Sequence, residues 1–117
     1  MFRLFAKKEQ SLECVCQRPP FNFKNFQRVE LGEDMHGAEV SLETCKKCNK
    51  AWLKYLIEQP HHSYSGRWWR AAVEVESQAL ISAKSAKGYI EQQTNVFVGG
   101  SFFNSTGHRV KGAIHIA

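Results

Sequence analysis

The chain has no long apolar run. Its start, Met1-Phe2-Arg3-Leu4-Phe5-Ala6-Lys7-Lys8-Glu9, breaks into charge within a few residues. A secretory leader needs an apolar stretch of about 7–15 residues, and a membrane helix about 20. The expected setting is cytoplasmic, with no membrane partner. The chain also lacks internal repeats, low-complexity tracts and any Pro/Gly/Ser-rich linker, and its 117 residues suit one domain spanning residues 1–117. Catalytic signatures are missing too: no Ser–His–Asp order, no paired-carboxylate motif and no dinucleotide fingerprint. Gly99-Gly100-Ser101 has neither the Gly-Lys-Ser/Thr ending of a phosphate loop nor a helix after it, so a tight turn or bulge is expected. His61-His62 sits in a Pro/Ser/Gly loop without a helical metal motif, and His108 and His115 read as structural. The protein is therefore not expected to be an enzyme.

Strong charge of one sign is absent as well. The net charge is +5, modest for a dedicated nucleic-acid binder. The distribution is uneven: residues 29–44 carry five acids (Glu30, Glu33, Asp34, Glu39, Glu43) and no Lys or Arg. Residues 45–70 carry Lys46, Lys47, Lys50, Lys54, Arg67 and Arg70 against Glu58 alone. Charge patterning of this kind reads as two solvated faces that partly satisfy each other, or as a polar interaction surface.

Cysteine is scarce, and its few positions are informative. The four residues form two close pairs, Cys14-Val15-Cys16 and Cys45-Lys46-Lys47-Cys48. In a reducing compartment paired cysteines favour metal over disulfide, and a domain this short gains from a staple. A Cys-x-x-Cys turn presents both sulfurs to one ion while backbone amides support their charge, and Lys46 and Lys47 favour the thiolate forms. Asn49, directly after the turn, suits a left-handed backbone position. The stretch from residue 38 to 57 thus resembles the knuckle of zinc ribbons and rubredoxin-like sites: strand, Cys-x-x-Cys-(Gly/Asn)-Lys, strand. The other pair departs from that pattern, with one intervening residue; on a strand, residues two apart face the same side and both sulfurs still reach one ion. The expected cofactor is a structural zinc held by Cys14, Cys16, Cys45 and Cys48. Reduced buried pairs, a redox or catalytic cysteine and an iron–sulfur centre are the alternatives. The redox option requires a helix after a strand, whereas Cys45–Cys48 lies between strand patterns.

Apolar periodicity supplies the rest. Ala38 to Thr44 alternates as a half-buried strand, Ala51–Ile57 returns from the turn, Arg67–Val75 is a further strand, and Val96-Phe97-Val98 and Arg109–Ile116 continue the sheet. Leu12–Cys16 reads as a strand ended by Pro19-Pro20, and Phe21–Phe26 as an extended strand or a loop pinned by its rings. Asn104–Gly107 reads as a turn. Ser82–Gln93 reads as a helix with Ser82 as N-cap and Ala83, Ala86 and Ile90 on one stripe. The fold class is α+β, a small mainly antiparallel sheet with one helix packed on it, stapled by the four cysteines.

Arg67-Trp68-Trp69-Arg70 is the other candidate site. The tryptophans point to opposite faces of a strand. One is expected in the core and the other outside, flanked by arginines in the composition of a binding hot spot or a base-stacking platform. With Lys46 and Lys47 these four residues are the candidate binding residues; the bland alternative has both rings covering the sheet under solvated arginines. The function these features suggest is a small non-catalytic zinc-binding interaction protein that docks on a partner protein. It is similar in size and make-up, though not in motif, to inhibitors and immunity-type proteins. The alternative is a nucleic-acid-binding zinc module using a basic face and an exposed Trp; an enzyme or redox protein is the third class.

Overall fold

In the computed structural model, which describes residues 14–58, 66–100, 105–111 and 116, the main elements follow one another simply. They are β1 (Phe26–Glu33), β2 (Glu39–Cys45), β3 (Ala51–Ile57), β4 (Arg67–Val73), α1 (Ala83–Glu91), β5 (Asn95–Gly100) and β6 (Ser105–Lys111). Strand order in space equals strand order in sequence, and every neighbouring pair is antiparallel. The result is a six-stranded meander with α1, from the β4–β5 connection, laid across β1 to β4. This is the α+β class expected from the sequence. No helix among the described residues is long and apolar enough to cross a membrane.

The helix forms where its local chemistry says it should. The Ser82 side chain accepts from the Ser85 amide, and the Ser85 hydroxyl accepts in turn from the Ser82 amide at 3.0 Å. Two amides that lack helical partners are thereby satisfied. Ala83, Ala86 and Ile90 are the buried stripe, spaced to share one face. The two small alanines let the helix sit close to the sheet, and Ile90 fills the space beyond them. Opposite them lie Val40, Leu53, Tyr55, Trp69, Ala71 and Val98, which the pairing registers place on a single face.

The other face is covered as well. Ser41, Glu43 and Cys45 of β2 point there, and all three are buried. β2 is therefore not the half-buried strand that its alternation predicted: polarity at every second position marked a second interior, not solvent. The acidic stretch also hid β1, which carries Glu30 and Glu33 and pairs with β2 through a register shift between Glu30 and Gly32.

Other expectations need correction. Cys14 and Cys16 do not lie on a strand; Val15–Gln17 is a 3-10 turn, closed by the Gln17 amide on the Cys14 carbonyl at 2.9 Å. Among the described residues the segment has no partner strand, and Pro19 and Pro20 bring no N–H to a ladder; Leu12 and Glu13 of the expected strand lie outside the described residues. Phe23–Asn25 is likewise a 3-10 turn, capped by the Asn22 side chain. Ser105, Thr106 and Gly107 belong to β6 rather than a turn, whereas the expected irregularity at Gly99-Gly100 is a register shift in β5. β4 ends at Val73, and Val75–Leu80 winds into a 3-10 helix. The Pro60–Ser65 part of the expected loop, with His61 and His62, and also Phe102, Phe103, Ile114 and His115, lie outside the described residues.

Candidate metal centre and the face around it

The knuckle is the tip of the β2–β3 hairpin. The Cys45 amide donates to the Lys50 carbonyl at 2.9 Å, and the Asn49 amide to the Cys45 carbonyl at 2.9 Å. Asn49 adopts φ 65°, the left-handed position expected of it; Asn tolerates that backbone better than most side-chain-bearing residues. The Lys47 amide points at the Cys45 sulfur, 3.4 Å away. The Lys46 amide reaches the Asn25 carbonyl at 2.9 Å and ties the knuckle to the start of β1.

The 3-10 turn then delivers the second pair of sulfurs. Cys14 Sγ lies 3.6 Å from Cys45 Sγ, and Cys16 Sγ lies 3.5 Å from Cys48 Sγ. All four sulfurs fall within 4.8 Å of one another. A disulfide requires about 2.05 Å, and the four are free cysteines. A tetrahedron with metal–sulfur bonds of about 2.3 Å has edges of about 3.8 Å. The sulfurs therefore have a spacing that could hold a metal ion with bonds of that length, and a turn brings in the pair expected from a strand.

The electrostatics favour a cation at the centre. Burial pushes the Cys16 thiol well above its ordinary range; the Trp52 side chain works against this, and the neighbouring Cys48 and Cys45 add to it. Burial raises Cys45 too, but the amides of Cys48 and Lys47 outweigh it and bring this thiol down to about 7. Four thiolates packed this closely repel one another unless a cation balances them, and a bound divalent ion deprotonates its thiols outright.

The cysteine cluster merges into an aromatic one. Cys16 and Cys45 pack with Phe26, Trp52 and Phe97, and with the half-buried Phe21 and Trp68. The Phe21 ring centre stands 5.1 Å from Phe97 and 5.8 Å from Trp68, both edge-on. Trp68 lies over Gly99, its cross-strand neighbour. A Cβ on Gly99 would come within 2.4 Å of the indole, and one on Gly107 within 2.7 Å. Two glycines in the sheet thus make the seat for this ring.

Beside the rings lies a buried ion pair. Arg70 is 2% exposed and Glu43 6%, and Arg70 Nη1 donates to Glu43 Oε1. The guanidinium is also 4.5 Å from the Phe21 ring centre and 4.6 Å from that of Phe26. Arg28 approaches Glu43 at 3.9 Å and bonds Glu30 at 2.8 Å. Burial holds Lys54 below the usual lysine range; Glu43 opposes that, and Arg70 and Arg28 reinforce it.

Of the residues singled out from the sequence, the four cysteines come together. The six candidate binding residues do not form one surface. Trp69 is in the helix-side core, 6.0 Å from the Tyr55 ring centre, and Arg67 lies over it at 5.9 Å. Trp68 and Arg70 are on the opposite face, with Trp68 half-buried and Arg70 buried. Lys46 and Lys47 are exposed at the tip of the knuckle. Sequence reasoning missed Glu43 as the partner of Arg70, and Arg28 as a second cation beside Glu43. The signal was Glu43 standing two residues before Cys45, on the same side of β2. No family model matches the chain, and neither a curated protein nor a solved structure matches it.

Proposed function

We propose that the protein is a small non-catalytic binding module stapled by one structural zinc ion, and that it acts by docking on a partner protein in the manner of an inhibitor or immunity-type protein. The observation that carries the first half is the closure of four sulfurs within 4.8 Å of one another. Zinc suits four thiolates in a tetrahedron, and a full thiolate set leaves no open position for substrate or water. Cys14, Cys16, Cys45 and Cys48 hold the ion; its contribution is to cross-link the N-terminal turn to the β2–β3 hairpin. The docking face in this reading is the one opposite α1, where rings and charges lie beside the staple. The test is the metal content of native protein purified without added metal, by mass spectrometry. One zinc per chain is expected. A folded, metal-free chain with four reduced thiols overturns the staple and returns the cysteines to redox chemistry.

Rings next to cations on that face favour a second reading, in which the partner is a nucleic acid: bases stack on aromatic side chains and phosphates meet Lys and Arg. Such binding falls steeply as salt rises. Affinity that stays flat from low to moderate salt rejects it.

A further inference from the structure

We infer that the cavity on the face opposite α1 is a binding site for a small aromatic anion, a flat ring carrying a phosphate or carboxylate. The inference rests on reading this face as the binding face, and it specifies the chemistry that the face recognises.

The cavity has a volume of about 290 Å³, and Phe21, Trp68, Arg28, Lys54, Arg70 and Glu43 are in its wall. That volume lies just below the usual range for small-molecule sites, about 300–1,000 Å³. Three cations and one carboxylate line the cavity, and Arg28 also bonds Glu30 outside the wall. Glu43 is engaged by Arg70 and approached by Arg28. Lys54 makes no ion pair among the described residues, and its burial disfavours its charge. Arg70 is nearly inaccessible, yet its Nε and Nη2 have no hydrogen-bond partner among the described residues. A guanidinium carries five N–H donors, and leaving buried donors unmet is unfavourable. An anion in the cavity would give Lys54 a counter-charge and Arg70 an acceptor for its unmet donors. Trp68 and Phe21 line the same wall, and Phe23, 79% exposed, stands at the same cavity with most of its surface available to contact a ligand. The seat formed by Gly99 and Gly107 holds the Trp68 ring in place, so the site is built before any ligand arrives.

The test is titration calorimetry on folded chain whose zinc content has been measured. The ligands are adenosine 5′-monophosphate and benzoate, with adenosine and inorganic phosphate as half-ligands and a single-stranded eight-base oligonucleotide as a further arm. The expected result is saturable one-to-one binding of the monophosphate or benzoate, with each half-ligand weaker by about tenfold or more. Lys54→Met and Arg28→Met should each weaken binding by about tenfold, the loss of one charge-assisted hydrogen bond, without unfolding the chain. Arg70 is avoided as a test position because its substitution also disturbs folding.

If only the oligonucleotide binds, and Lys54→Met weakens it, the ring-plus-anion chemistry stands and its source is a strand. Absence of binding by the monophosphate, benzoate and oligonucleotide to zinc-loaded, folded protein overturns the inference and leaves the staple untouched. Binding that ignores Lys54→Met overturns it as well. Binding by folded protein without metal keeps the inference and removes the zinc.

Discussion

The two faces of the sheet are built on opposite principles. The face under α1 is closed by aliphatic and aromatic side chains, with Val40, Leu53, Ala86, Ile90 and Val96 fully buried, and its stability comes from area removed from water. The opposite face has no α-helix over it among the described residues. It is held by four sulfurs at a candidate ion site, by rings packed edge to face, and by a largely buried charge pair. A face built from ligands and charges loses its fit when one partner is removed, whereas an apolar face relaxes and gives up part of its energy. The contrast also indicates where binding belongs. Polar groups that are difficult to bury are collected on one side, and a cavity is left beside them.

The sharpest way to break this contrast is at the four cysteines. Cys48 is exposed, so a bystander role predicts no effect of Cys48→Ser. A ligand role predicts loss of bound zinc and of several kcal/mol of stability, since metal affinity is folding energy. Chemical denaturation with metal analysis decides between them. Next comes Glu43→Gln, which strands Arg70 without its counter-charge and is expected to destabilise by about 3–5 kcal/mol. Glu43→Leu combined with Arg70→Met should recover most of that loss. A loss within about 0.5 kcal/mol, as for a surface site, would show that the pair is not desolvated.

Trp69 and Trp68 compare the faces directly. Trp69→Ala opens the helix-side core and should lose about 3–5 kcal/mol. Trp68→Ala removes a half-buried ring and should lose about half as much. Equal losses would mean that the second face is as tightly packed as the first.

The helix side has its own polar anchor. Asp34 receives the Tyr55 hydroxyl and the amides of His36 and Ala38. Burial acts to raise its pKa, but these hydrogen bonds outweigh it and hold the carboxyl below its ordinary value. The folded value lies below the unfolded one, near 3.9. The stabilisation is therefore complete above about pH 4 and is lost as pH falls through the lower, folded value. Asp34→Asn should remove this acid-side dependence and lose about 1–2 kcal/mol at neutral pH, as read from unfolding curves at several pH values. The smallest effect is at Gly88, in α1, where an added Cβ meets nothing within 4 Å. Gly88→Ala should stabilise by about 0.5–1 kcal/mol through helix propensity, visible as a small rise in melting temperature.

Local chemistry made some of this readable in one dimension. Ser82 with Ala83, Ala86 and Ile90 specified a capped helix and its buried face. Cys45–Asn49 specified a turn, down to the left-handed Asn49. The strands from Ala51 to Val73 followed from their apolar runs. β1 was hidden because its acids look like a solvated segment, and its pairing with β2 is a nonlocal fact. Cys14 and Cys16 converge on the site through a 3-10 turn, a conformation that a two-residue spacing does not distinguish from a strand.

The amino-acid sequence by itself determined the class of fold, the helix and its contact stripe, the knuckle, and which four residues would come together as a candidate metal site. Those depend on near neighbours, on capping, on left-handed backbone preference and on the coordination chemistry of sulfur. Only the tertiary structure decided that Glu43 is an interior residue paired with Arg70, that Trp68 rests on Gly99 and Gly107, and that Arg28 and Lys54 border the same cavity. Alternation along a strand says that two faces differ. Which of them meets water depends on what the rest of the chain lays over each, and here the N-terminal turn and its aromatic residues make an interior of the polar one.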